Sequence, residues 1–212
     1  SSFTAKYSFE SNFNGVIGNL LNIKYRFIPL PIKEEVFKFK CDKKENSIFV
    51  LNSNNTDKTI YSLLEIAESN PKLNFKILSR KDVYQNTIKN HSLRKLLYLK
   101  NVFFDLKENL SDSDIYEAIS KSRFILLSYK NISQSGFLPI AFATGTIPII
   151  TNILGLRDNC YEVKEFVVTL KKDLLLEKQI SKLDYEKRRI GLEKFSLENK
   201  KLVFKAIKSL LS

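Results

Sequence analysis

Residues 102–158 read VFFDLKENLSDSDIYEAISKSRFILLSYKNISQSGFLPIAFATGTIPIITNILGLRD. The apolar run at 101–105 (NVFFD) predicts a strand. Asn109-Leu110-Ser111-Asp112 forms a loop able to cap a helix over 112–121, where Ile115, Ala118 and Ile119 share a face. A strand at 123–128 (RFILLS) follows, then a small-residue helix over 136–144, then a strand at 147–151 (IPIIT). These strands are apolar on both faces and alternate with helices. Parallel sheets covered on both sides have that pattern.

The alternation continues on both flanks. Upstream, 47–51 (SIFVL) predicts a strand, and 59–69 a helix with Ile60, Leu63, Leu64 and Ala67 on one face. A strand at 74–78 (NFKIL) comes next, then a helical or irregular stretch over 82–97. Downstream, 165–170 (EFVVTL) supplies a sixth strand. Six strands joined through right-handed crossovers predict an α/β fold with a doubly wound parallel sheet, a Rossmann-like domain. The ends differ. Residues 3–7 and 24–28 (KYRFI) are strand candidates, and Pro29-Leu30-Pro31 breaks the chain. A polar turn is expected over 40–46. Residues 196–212 predict an amphipathic helix capped by Ser196, with Leu202, Val203, Ala206, Ile207 and Leu210 as its stripe.

The chain's 212 residues hold 35 Lys+Arg against 23 Asp+Glu, a net charge of +12, with 43% hydrophobic and 12% aromatic residues. That length suits one domain, or one domain with a piece of another. The apolar share fills a core and argues against disorder, a collagen-like chain or a disulfide scaffold. No apolar run reaches the roughly 18 residues of a membrane span, and SSFTAKYSFE lacks the pattern of a signal peptide. Cys41 and Cys160 are the two cysteines and lie far apart, which suits a reducing, cytosolic setting. The single His91 excludes a two-histidine metal site and reads as a polar residue near a helix end. The charge suits an anionic partner: phosphate, nucleic acid or anionic lipid. Lysines are spread, Lys187-Arg188-Arg189 is the one dense run, and Phe103, Phe104 and Phe124 sit in apolar segments rather than on a stacking face. Nucleic acid is therefore disfavoured.

In a doubly wound sheet, ligands bind beyond the carboxyl ends of the strands, where strand order reverses. Three loops qualify. In 52–58 (NSNNTDK), Lys58 at a helix start is a point charge for phosphate, although the loop is equally an Asn-rich turn. In 129–137 (YKNISQSGF), Gln134-Ser135-Gly136 bring backbone N–H groups and a helix N-terminus to the edge, an anion site by geometry. Gly136 has no Cβ to keep a ligand away. The loop 105–112 could contact a base. Neither Gly-x-Gly-x-x-Gly nor Gly-Lys-Ser/Thr occurs, so standard dinucleotide and P-loop binding are disfavoured.

As a unit, 102–158 resembles the nucleotide-sugar-binding domain of group 1 glycosyltransferases, retaining enzymes of the GT-B fold. That family shows "SD-x-x-x" before a helix, a strand ending in Pro-Tyr, then "QSG", a small-residue helix ending in Gly, a strand with Pro, and "GGLPE". Here Ser128-Tyr129, Gln134-Ser135-Gly136, residues 141–145, residues 148–151 and Gly155-Leu156-Arg157-Asp158 take those places. Residues 26–37 resemble the interdomain linker, and 195–211 the closing helix after "FS-x-E". The resemblance implies the C-terminal half of such an enzyme. Residues 1–28 would be the tail of the N-terminal acceptor domain, 29–46 the interdomain linker, 47–195 the nucleotide-sugar-binding Rossmann-like domain and 196–212 the closing helix.

It further implies a UDP- or GDP-sugar held by Ser53, Lys58, Arg80, Ser133, Gln134, Ser135, Gly136 and Phe137. A glycan or lipid-linked acceptor, as in polysaccharide biosynthesis, would receive the sugar in the cytoplasm or at the inner face of the cell membrane. No metal or other cofactor is expected, and no catalytic residue is assigned. Most of the acceptor domain would be missing, so this chain by itself is expected to be inactive. Two departures stand out. The family's Glu-x₇-Glu pair falls on Ile132 and Ile140, and its diphosphate-binding Arg on Ser53 or Asn52, with Arg80 the nearest substitute. They motivate two alternatives: a degenerate, non-catalytic interaction module, or another nucleotide- or phosphate-binding Rossmann-like domain.

Overall fold

The computed structural model describes residues 7–8, 26–27, 32–53, 60–130, 132, 135–171 and 175–211. Two short strands, Tyr7–Ser8 (β1) and Arg26–Phe27 (β2), pair in parallel. The rest of the strand candidates at 3–7 and 24–28, and the Pro29-Leu30-Pro31 break, lie outside the described residues.

The main sheet has six strands: Glu45–Asn52 (β3), Asn74–Arg80 (β4), Val102–Lys107 (β5), Ser122–Leu127 (β6), Ile147–Ile150 (β7) and Val168–Thr169 (β8). All pair in parallel, in the order β5-β4-β3-β6-β7-β8. Helices Ile60–Ser69 (α1), Lys81–Lys89 (α2), Asp112–Lys121 (α3), Phe137–Thr144 (α4) and Leu154–Asn159 (α5) connect them, and Leu176–Ile180 (α6) and Tyr185–Leu211 (α7) follow. This is the doubly wound, Rossmann-like α/β fold that the sequence predicts. α1 and α2 share one flank with a 3₁₀ segment at Leu93–Tyr98. On the other, α4 packs against α3, α7 and a 3₁₀ segment at Glu34–Phe39. The central strands supply the core: Ile48, Phe49 and Val50 of β3, Ile125 and Leu126 of β6, and Ile147 and Ile149 of β7 are all buried. No helix among the described residues is long and apolar enough to cross a membrane.

The stretch over 82–97, read as helical or irregular, divides into α2 and the 3₁₀ segment, because Asn90 Oδ1 accepts from the N–H groups of Ser92 (3.0 Å) and Leu93 (3.2 Å). An Asn side chain that captures backbone donors in this way competes with helix continuation. Ser196 caps nothing. It is fully buried inside α7, which starts at Tyr185, and its hydroxyl donates to Glu193 O at 2.8 Å. Leu192 is fully buried and Phe195 stacks edge-on against Phe142 of α4 at 5.8 Å, so packing carries the helix through the serine. The polar turn at 40–46 gives way early to β3, and Lys44 is buried. The cap expected at 109–112 does form: Ser111 Oγ accepts from Asp114 N (3.2 Å) while Asp114 Oδ2 accepts from Ser111 N (3.0 Å).

Lys44 joins three elements. Its ammonium donates to Ser120 O at the end of α3 and to Thr146 Oγ1 before β7, the latter at 3.0 Å. Burial lowers its pKa from 10.5 to about 8, against smaller opposing effects of Cys41 and Glu193. Below about pH 8 the amine is charged in both states and its burial penalty is constant. Between about pH 8 and 10.5 the unfolded chain holds a proton that the folded chain does not, so this group makes stability rise with pH, by up to roughly 3 kcal/mol. Lys44→Met is expected to remove that rise, measured as the difference in urea-unfolding free energy between parent and variant across the window.

Gly145 closes α4 with φ +65° and ψ +26°, a left-handed cap. An added Cβ would lie 2.5 Å from Glu193 Oε1 and 2.7 Å from Arg189 Cγ. Gly145→Ala is expected to lower stability by about 1–2 kcal/mol in urea unfolding. Gly136→Ala is expected to change it by no more than about 0.5 kcal/mol, since its φ is −61° and a Cβ there meets nothing within 4 Å.

Candidate functional site

Strand order reverses between β3 and β6: the chain leaves β3 toward β4 and leaves β6 toward β7. The carboxyl ends of β3 and β6 therefore flank a crevice that no crossover covers. Ser53 leaves the end of β3, and Ser128-Tyr129-Lys130 leave the end of β6. The N-terminus of α4 faces the same edge.

Buried polar contacts hold this edge in register. Asn52 Nδ2 donates to Ser79 Oγ and to Thr87 Oγ1, both at 3.0 Å, tying β3 to β4 and α2. Ser62 of α1 and Ser128 share a hydrogen bond across the reversal. Thr151 Oγ1 donates to Tyr129 O at 2.8 Å and ties the end of β7 to the loop after β6. Each is a satisfied polar group close to the edge, which makes the rim rigid.

The sequence-designated residues fall in three groups. Lys58, Ser133 and Gln134 lie outside the described residues. Ser53, Ser135, Gly136 and Phe137 come to the reversal. Ser53 Oγ is buried there with no hydrogen-bond partner among the described residues. Ser135 is buried and its hydroxyl shares a 3.4 Å contact with Tyr129 OH, so it can offer a ligand its backbone rather than its side chain. Burial raises the pKa of Tyr129, and the Ser135 contact opposes this weakly. Gly136 is exposed and opens onto free space, while Phe137 leans on the core. Arg80, at the end of β4, is committed elsewhere. Its guanidinium grips Asp82 through two hydrogen bonds, one of 2.9 Å, and this holds the Asp82 carboxyl below its ordinary range.

Other cations along that half of the edge are also paired, Lys81 with Glu108 and Lys107 with Asp114. Two cations outside the sequence-designated set of site residues are not. Lys130, after β6, and Arg157, on α5, are exposed and have no side-chain partner among the described residues. Lys130 was legible, being the only cation in YKNISQSGF. Ile132 and Ile140 both pack on the core. Cys160 is buried, its thiol pushed up to about 12 by desolvation, and is no nucleophile at neutral pH. His91 is exposed in the turn after α2. No group of three His, Cys, Asp or Glu placed to hold a metal occurs among the described residues.

The crevice thus combines a helix N-terminus, an unsatisfied hydroxyl and unpaired cations, an arrangement for an anion. Ser53→Ala is expected to leave the unfolding free energy unchanged or raise it by up to about 1 kcal/mol, because a buried hydroxyl without a partner costs stability. A loss well above about 1 kcal/mol in urea unfolding would mean that Ser53 has a structural partner.

The fold and this edge define a Rossmann-like α/β domain with an open site at the strand reversal. No protein-family model and no curated protein matches the sequence. The fold is similar to that of a glycosyltransferase from Rickettsia africae ESF-5, with TM-score 0.64 and 17% identity over 98% of this chain and 62% of that one. It is similar to the GtfA/B complex, with TM-score 0.60 and 12% identity over 89% of this chain and 40% of that one. A trehalose-6-phosphate protein from E. coli, bound with UDP-2-fluoro glucose, matches with TM-score 0.58 and 11% identity over 84% of this chain and 49% of that one. The chain thus spans 40% to 62% of the length of these three.

Proposed function

We propose that this chain is the donor-binding part of a group 1, retaining GT-B glycosyltransferase. It binds a nucleoside-diphosphate sugar, whose sugar passes to a glycan or lipid-linked acceptor. The observation that carries this reading is the open N-terminus of α4 at Gly136, set beside Ser53 at the strand reversal. The similar E. coli structure with its bound UDP-2-fluoro glucose supports a nucleotide sugar as the ligand. The domain division at residues 28, 46 and 195 belongs to the same reading.

The diphosphate carries its negative charge against the α4 N-terminus, with backbone N–H groups around residues 133–137 as donors. Lys58 supplies a point charge from the loop after β3, and Ser53 Oγ gains in the ligand a hydrogen-bond partner that it lacks among the described residues. Lys130 and Arg157 stand free to replace the charge that Arg80 spends on Asp82. Fixed donors aimed at the leaving diphosphate lower the barrier to its departure, because charge that builds there is already solvated by the protein. Cations and helix dipole supply this charge without a metal. The basic surface suits a lipid-linked acceptor at the cytoplasmic face of a membrane.

Calorimetric titration with UDP, GDP and their hexose conjugates tests the proposal. One nucleotide series is expected to bind in the micromolar to millimolar range, roughly −8 to −4 kcal/mol. Lys58→Ala should weaken it by about tenfold or more, and Ser53→Ala by a smaller factor. If none binds to a chain that unfolds cooperatively, donor binding is refuted and the non-catalytic interaction module takes its place.

A further inference from the structure

The sheet has a second concave site, at its opposite edge. A cavity of about 520 Å³ is lined by Asn46 near the start of β3, Leu73 just before β4 and Arg123 at the start of β6, and by residues of α6 and the start of α7. These strand positions put it at the amino-terminal edge, away from the crevice described above. That volume is in the range of small-ligand sites.

Three buried polar atoms on its lining residues have no hydrogen-bond partner among the described residues: Arg123 Nε, Glu177 Oε2 and Tyr185 OH. Each such group costs stability when left unmet. The Tyr185 ring is held firmly. The Arg123 guanidinium lies 4.8 Å over its centroid, and Phe124 meets it edge-on at 6.2 Å. The Asn70 side chain fixes the start of α6 by accepting from Glu177 N at 2.9 Å. Arg123 Nε and Tyr185 OH therefore sit on anchored side chains, and Glu177 Oε2 on a side chain whose backbone is anchored.

The cavity is also charged. Among the described lining residues, Arg123, Lys72 and Lys178 face the one carboxylate of Glu177, a net of +2, and neither lysine has an ion-pair partner among those residues. Water can meet the hydrogen bonds, but it does not neutralise the charge.

We propose that this amino-edge cavity is a second ligand site, for a small hydroxylated anion that carries one phosphate or carboxylate and at least one hydroxyl. The anionic group takes donors from Arg123 Nε and the two lysines. A ligand hydroxyl donates to Glu177 Oε2, and Tyr185 OH donates to the ligand or accepts from it. Burial pushes the Tyr185 phenol up to about 12, so at neutral pH it keeps its proton and remains a donor. The site is independent of donor binding at the carboxyl edge.

Thermal unfolding and calorimetry with glucose 6-phosphate, gluconate, inorganic phosphate and glucose test this. At least one of the first two should bind saturably below about 10 mM and raise the unfolding temperature. Which of them binds tells phosphate from carboxylate. Inorganic phosphate should bind at least about tenfold more weakly, and glucose not at all. Arg123→Gln and Glu177→Gln should each cut affinity about tenfold or more, while Lys58→Ala should leave it unchanged. Tyr185→Phe keeps the ring packing and should weaken binding severalfold while leaving the unliganded stability unchanged or higher. A purely structural tyrosine would not separate those two readouts. The proposal is overturned if neither hydroxylated anion binds, if inorganic phosphate binds as tightly as the hydroxylated anion that does, or if binding survives the cavity substitutions but not Lys58→Ala.

Discussion

β3 must pair with β4 on one side and β6 on the other while both of its faces are buried. A parallel strand in that position has no solvent face, so Ile48, Phe49 and Val50 are apolar in succession rather than in alternation. Its neighbours inherit the requirement. β6 and β7 are equally apolar, and helices have to cover both sides of the sheet. Since a crossover between parallel strands is right-handed, a chain that winds one way from β3 and the other way from β6 must leave the gap between them uncovered.

That gap explains the polar chemistry at the carboxyl edge. The rim is braced by the side chains of Asn52, Ser62, Ser128 and Thr151. Gly136 faces open space, and Ser53 keeps a hydroxyl with no partner among the described residues. The two halves of the edge differ electrostatically. On the β4–β5 side each cation named above has a carboxylate, and on the β6–β7 side Lys130 and Arg157 have none among the described residues. An anion is drawn to the side where its charge is not already matched.

The amino edge obeys a different constraint. There the strands begin, and α6 and the start of α7 close over them. Lys44 shows how a buried cation is accommodated at this edge, with two oxygens to receive it. Arg123 has an aromatic ring beside it but no acceptor for its Nε among the described residues. The buried Lys44 and the half-buried Arg123, near one sheet edge, are thus treated in opposite ways, one satisfied internally and one left open to a cavity.

Element type and order were legible in the sequence because they depend on local pattern. Apolar runs of strand length, the 111–114 capping box and the 3.6-residue spacing of α1 and α3 each carry their signal within a few residues. Long-range packing was not legible. Ser196 looks like a cap because it precedes an amphipathic run, yet α7 passes through it, since Leu192 and Phe195 find partners that the local sequence does not show. Arg80 looks available until its Asp82 partner is seen in place, and Ser135 looks exposed until Tyr129 buries its hydroxyl. The amino-edge cavity depends on residues 46, 123, 177 and 185, which only folding brings together. The sequence by itself determined the alternation of strands and helices, because backbone geometry and hydrophobic period are local. Tertiary structure alone decided which polar groups are spent on one another and which remain for a ligand, because hydrogen bonds and ion pairs are settled by proximity in space.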